Sequence, residues 1–122
     1  SKEISEKDSE ILNTLRKAMV KVVNEPGGTA FKSKSDSKKY IFAGKTGTLQ
    51  VKKITLEERE REDFRKKEIE WKDRDHSLFV GYMSGNEPEY SISVVIEHGG
   101  SGSSTAAPIA KKIFDKLHDM RV

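Results

Sequence analysis

Lys45 sits between two glycines in Gly44-Lys45-Thr46-Gly47-Thr48, so one cation and two hydroxyls fall within five residues. An ammonium held there is placed to meet an anion. A nucleotide-phosphate loop would need a glycine five residues before Gly44-Lys45-Thr46, and that position is Lys39, so that motif fails. The flanks, Tyr40-Ile41-Phe42-Ala43 and Leu49-Gln50-Val51, predict a half-buried β-strand. Glycine weakens a strand and is found where a bulge forms, or where a backbone or ligand approaches closely. Period-two alternation puts Lys45 with Ile41, Ala43, Leu49 and Val51 on the more apolar side, and Thr46 and Thr48 on the other. Lysine is almost never fully buried unless paired. The strand therefore reads as a sheet margin that offers a cation and free main-chain groups to an added peptide. An edge strand whose lysine merely discourages aggregation is the plainer alternative.

The other reactive residue types are weaker candidates. His76 opens a predicted strand, His98 ends one and His118 ends a helix; no pair has helix-face ligand spacing, and there is no cysteine. A metal site is not expected. Gly99-Gly100-Ser101-Gly102 before a helix could cradle an anion, but such a run is more often a flexible turn. Ser35-Asp36-Ser37-Lys38 matches Ser-x-x-Lys, and Ser84-Gly85-Asn86 matches Ser-x-Asn. Ser35, however, lies in a polar linker and Ser84 in a hairpin turn. A nucleophile needs an adjacent base in a low-dielectric setting, so neither is expected to be catalytic.

Positioning Lys45 requires a sheet and something to cover it. Ile11, Leu12, Leu15, Ala18, Met19, Val22 and Val23 recur at helical steps, predicting a helix over 9–23 capped by Asp8 or Ser9 and stopped by Asn24 and Pro26-Gly27-Gly28. Residues 24–39 read as a solvated linker, with a basic anion-contact surface as the functional alternative. Residues 52–75 carry 18 charges in 24 positions, nine of each sign. Acid-first pairs such as Glu57/Arg61 and Glu68/Lys72 predict an exposed helix over about 55–71, inserted between strands. It serves either as a solvated excursion or as a docking surface for a partner. Ser77–Met83 is apolar on both faces, as a central strand should be, and Tyr90–Glu97 alternates, so the two form an antiparallel hairpin. A last helix, capped by Ser104 or Thr105 and tolerating Pro108 in its first turn, presents Ala106, Ile109, Ala110, Ile113, Phe114 and Leu117. The expected fold is α+β: a three-stranded antiparallel sheet with the N- and C-terminal helices packed on one face, in a single unit spanning 1–122.

Composition narrows the function classes. Charged residues make up 35% and hydrophobic ones 34% of 122 residues, so the core is small; 23 basic against 20 acidic residues leave +3. That balance gives little support to nucleic-acid binding. No apolar run reaches the ~18–20 residues that span a bilayer, so the chain as given reads as soluble, with any membrane attachment outside it.

Lys-Thr-Gly is one of three motifs of β-lactamases and penicillin-binding proteins. Its neighbours here are Val22-Val23-Asn24-Glu25-Pro26-Gly27-Gly28-Thr29-Ala30, Asp75-His76-Ser77-Leu78-Phe79-Val80-Gly81-Tyr82 and Val94-Val95-Ile96-Glu97-His98-Gly99-Gly100. That ordered set, from about Ile11 to the end, resembles the C-terminal part of class B penicillin-binding proteins, the peptidoglycan D,D-transpeptidases, and most of all their elongation-type branch. The resemblance implies a serine acyl-enzyme mechanism in a longer, membrane-anchored parent at the periplasmic face of the bacterial inner membrane. Stem peptides and β-lactams would be the ligands, with elongation proteins as partners and no cofactor. Lys45 would attract the terminal carboxylate of the substrate and, as a catalytic residue, help polarise the neighbouring catalytic network; Thr46 would hydrogen-bond that carboxylate and Gly47 would allow close approach. The backbone N–H of Thr48 would be half of the oxyanion hole. Alanine is common in the family where this chain has Thr48. With the nucleophile missing, the chain alone is expected to be inactive, and its uncovered apolar surfaces make self-association a further expectation. A small protein-interaction module working through residues 52–75 is the alternative from another class.

Overall fold

Ser5, not Asp8 or Ser9, starts the first helix: its hydroxyl accepts the Asp8 N–H at 3.2 Å and bonds the Asp8 carboxylate at 2.6 Å. In the computed structural model, which describes residues 3–36, 40–51, 56–57, 70–85 and 89–120, helix α1 runs over Glu6–Asn24. After it come a 3-10 turn at Phe31–Ser33 and strand β1, Ile41–Leu49. A second 3-10 turn at Trp71–Asp73 leads into β2, His76–Ser84, and then β3, Tyr90–Ile96. A π-helical turn, Gly102–Ala106, runs into helix α2, Ala107–Asp119. Most of the helix expected at 55–71 lies outside the described residues; Leu56 and Glu57 are helical.

The sheet has the order β1-β2-β3 and is antiparallel throughout, with the doubly apolar β2 in the centre as predicted. Phe42, Phe79, Met83 and Val94 share one face and are buried there under Ala106, Ala107, Ala110 and Phe114. The rings of Phe42 and Phe79 lie 5.5 Å apart and those of Phe42 and Phe114 5.4 Å, each pair worth about 0.5–1.5 kcal/mol beyond its buried area.

The α+β class and the three-stranded sheet stand, and α2 covers the face expected of it. The placement of α1 differs from the expectation that both helices share that face. Its last turn joins the core through Val22 and Val23. Its middle reaches the opposite side: Tyr82, which alternates with Phe79 and Met83, donates to the Arg16 carbonyl at 3.2 Å. The helix thus straddles the β1 margin, and Ile11, Leu12 and Leu15 of its predicted apolar face are exposed.

Two local expectations also change. The stretch before β1 is no simple solvated linker. Ser33 and Ser35 are buried, and both Ser35 (at 3.0 Å) and the Tyr40 hydroxyl donate to the Asp115 carboxylate of α2. The last helical segment is capped by Ser101, whose hydroxyl accepts the Ser104 N–H at 3.3 Å, so the cap precedes the expected Ser104 or Thr105. Thr105 instead donates to the Gly99 carbonyl at 2.7 Å.

Candidate functional site at the β1 margin

Gly44 explains how an aromatic core fits beneath the motif. A Cβ there would fall 2.1 Å from the ring of Phe79 and 2.6 Å from the Val80 carbonyl, so any side chain would displace the ring. Its partner in register is Gly81, where a Cβ would meet the same ring at 2.6 Å. The two glycines leave the slot that Phe79 fills. Gly47 differs: a Cβ there would meet only the Leu78 Cβ, at an ordinary 3.4 Å. Packing among the described residues does not require glycine at 47.

Lys45 lies on the face opposite Phe79 and is exposed, as are Ile41, Leu49 and Val80 around it. The side that looked more apolar in the sequence is thus the one that these residues leave open; only Ala43 on it is fully buried. The Lys45 ammonium donates to the Thr46 carbonyl at 2.7 Å and meets no carboxylate within ion-pair distance among the described residues.

The main chain of β1 has a defined polarity. Asn24 donates to the Phe42 carbonyl at 2.9 Å from outside the sheet, and Lys45 reaches the Thr46 carbonyl in the same way. In an antiparallel pair the N–H and C=O of one residue point the same way and alternate along the strand. With unbroken register from Ile41↔Ser84 to Leu49↔His76, Gly44, Thr46 and Thr48 therefore turn their main-chain groups away from β2. The Thr46 hydroxyl lies 2.7 Å from that of Thr29, and the Thr48 hydroxyl accepts the Gly102 N–H at 3.4 Å. What results is a strand margin with outward amides at alternate residues, an exposed cation beside them and two hydroxyls held from the core face. Such an edge can take up an extended peptide by main-chain bonds and hold an anionic end group.

Lys45, Thr46, Gly47 and Thr48 are thus contiguous on one edge. The formal Ser-x-x-Lys and Ser-x-Asn serines are engaged elsewhere, Ser35 on Asp115 and Ser84 on Glu89 at 3.0 Å. His76 and His98 come together, rings 4.6 Å apart, with the His98 N–H on His76 Nδ1 at 2.9 Å and Trp71 against His98 at 4.3 Å. Among the described residues no group of three or more His, Cys, Asp or Glu could hold a metal, and no helix is long and apolar enough to cross a membrane. Sequence reasoning missed the parts played by Asn24, Thr29, Ser77 and Gly102. Asn24 had a readable signal as a helix-terminal amide; the others depend on contacts between distant segments.

The family model of the penicillin-binding protein transpeptidase domain matches residues 3–115. Peptidoglycan D,D-transpeptidase MrdA of Haemophilus influenzae is 36% identical over 107 residues, 88% of this chain and 16% of the relative. The MrdA of Acinetobacter baumannii is 37% identical over 101 residues, 83% of this chain and 14% of the relative. Among solved structures, the complex of penicillin-binding protein PBP2 with MreC from Helicobacter pylori has a TM-score of 0.71 at 27% identity, covering 96% of this chain and 18% of that one. Pseudomonas aeruginosa PBP2 in complex with WCK 5153 has a TM-score of 0.61 at 35% identity, covering 86% and 18%. The chain therefore spans under a fifth of the length of these relatives, and the expected likeness to penicillin-binding protein 2 is borne out. An ordered Lys-Thr-Gly margin, the matched residues and the shared fold lead to one conclusion: this chain belongs to the penicillin-binding protein transpeptidase domain family.

Proposed function

We propose that this chain is the C-terminal part of a peptidoglycan D,D-transpeptidase and carries the strand on which the stem peptide docks. The observation that carries the reading is the β1 margin, where the amides of Gly44, Thr46 and Thr48 turn outward beside Lys45, which meets no carboxylate among the described residues. In this reading Lys45 attracts the terminal carboxylate, the Thr46 hydroxyl bonds it, and Gly47 leaves room on the Lys45 side. The Thr48 N–H is one of the two donors to the developing oxyanion. The nucleophilic serine is assigned to the remainder of the protein: Ser84 pairs with Ile41, at the opposite end of β1 from Thr48, and Ser35 sits with Tyr40 on Asp115.

The chemistry is acyl transfer. The serine oxygen bonds the carbonyl carbon of the penultimate D-alanine, the C–N bond breaks, and terminal D-alanine leaves as an amine with the serine proton. An amine of a neighbouring strand then attacks the ester, forming the cross-link and returning a proton to serine. A β-lactam acylates the same serine and stays attached through its opened ring. The protein would act at the periplasmic face of the inner membrane. The MreC complex of the Helicobacter relative supports a partner of that kind for the whole protein. The segment alone would be inactive.

Fluorescent-penicillin labelling tests this reading. The full-length protein should label at one serine, Lys45→Ala should slow labelling about 10²-fold, and the isolated segment should not label. Labelling of the segment at Ser35, or a Lys45→Ala protein that labels at the parental rate, would sink it.

A further inference from the structure

We infer that the turn Ser101–Ala106 props the β1 margin from behind, making Gly102 and Ser77 positioning residues for the acylation step; this inference rests on the transpeptidase reading above. Gly102 lies on the core face of the sheet, opposite the Lys45 side chain. A Cβ added to it would fall 2.3 Å from the Leu78 carbonyl oxygen, 2.5 Å from that of Gly47 and 2.8 Å from the Gly47 nitrogen. The turn therefore rests directly on the main chain of the Gly47↔Leu78 rung, with no side chain between. From the same residue the N–H reaches the Thr48 hydroxyl at 3.4 Å.

Ser77 fastens the turn to the next rung. It faces Thr48 in register and is fully buried. Its hydroxyl donates to the Ser101 carbonyl at 2.7 Å and accepts the Ala106 N–H at 3.0 Å, so both ends of the turn are held by one side chain. A buried hydroxyl is costly unless bonded, and here both of its bonds go to the turn. Upstream, the Gly100 N–H on the Asp75 carbonyl at 3.0 Å fixes the approach to the turn. Gly47 and Thr48 are thus gripped on the core face while the Thr48 N–H points to the margin. An oxyanion donor works only near its ideal distance, and a misplacement of about 1 Å can cost ~10²-fold in rate.

The test uses the full-length protein, fluorescent penicillin at graded concentrations to separate binding from the acylation rate constant, and thermal unfolding alongside. Gly102→Ala should lower the acylation constant ~10- to 100-fold, with binding changed less than about threefold. Met83→Ala hollows the core beside Phe42, at the other end of β1 from Thr48, so it should lower the unfolding temperature and leave the acylation constant alone. An unchanged constant in Gly102→Ala, or an equal loss in Met83→Ala, overturns the inference. Should Gly102→Ala not fold, Thr48→Val and Ser77→Ala decide. Each removes one grip and should slow acylation about three- to tenfold, and parental constants in both overturn the inference. A folded parent that takes no label removes the transpeptidase reading as well, whereas a labelled parent indifferent to Gly102 removes this inference alone.

Discussion

Thr29 and Thr46 face each other across the seam between the Gly27-Gly28 turn and β1, hydroxyl to hydroxyl at 2.7 Å. One must donate to the other, and a hydroxyl has a single proton. If Thr46 is to donate to a ligand carboxylate at the margin, Thr29 must be the donor of the pair. Thr29→Val should then weaken acylation about three- to tenfold in the full-length protein and Thr29→Ser should restore it. Labelling kinetics of the two variants measure this. Parental rates in Thr29→Val would show that Thr46 orients without help.

The two glycines around Lys45 have separable jobs. Gly44→Ala drives a methyl into the Phe79 ring at 2.1 Å and should cost about 1–3 kcal/mol of stability or prevent folding. Gly47→Ala meets only the Leu78 Cβ at 3.4 Å and should leave stability within about 0.5 kcal/mol of the parent. Its methyl would project beside Lys45, where the ligand backbone is proposed to pass, and should slow acylation ~10-fold or more. Thermal unfolding and labelling together separate the two; a Gly47→Ala protein that labels normally would leave that glycine without a role.

How much of this was legible in the sequence depends on distance along the chain. The strands, their order and the apolar stripe of α2 follow from local periodicity, and Lys45, Thr46, Gly47 and Thr48 stand together because they are neighbours in sequence. Helix α1 shows where periodicity stops: its stripe from Ile11 to Val23 says that a face is apolar, yet not which side of the sheet receives it. Ser35 looked solvated because its neighbours are polar, although its bond is to Asp115, 80 positions away. The same applies to Gly102, whose glycine is required by the backbone of Gly47 and by nothing near it in sequence.

Tyr40 gives a pH prediction. Burial first, and its bond to the Asp115 carboxylate second, hold its hydroxyl well above the ordinary tyrosine range. The folded state therefore favours the neutral phenol. Its contribution to stability is fully present below the unfolded value of about 10 and is lost as pH rises beyond that. The unfolding midpoint should fall more steeply above pH ~10 in the parent than in Tyr40→Phe, and the difference between the two curves is the measurement. Parallel curves would mean that Tyr40 ionises as freely folded as unfolded.

Asn24 marks where peptide docking can begin. Its amide donates to Val20 within α1 and to Phe42 on β1, at 2.8 and 2.9 Å, so the Phe42 carbonyl is already engaged. A ligand strand added to the margin would therefore find its first available outward rung at Gly44, and the ladder would run toward Thr48. Replacing Asn24 by alanine strips a donor from two carbonyls and should cost about 1–2 kcal/mol. It touches neither Lys45 nor Thr48, so the acylation constant of the folded fraction should stay at the parental value while the unfolding temperature drops. A fall in that constant at full folding would place the start of the docking ladder at Phe42, one rung earlier than the hydrogen bonds of Asn24 allow.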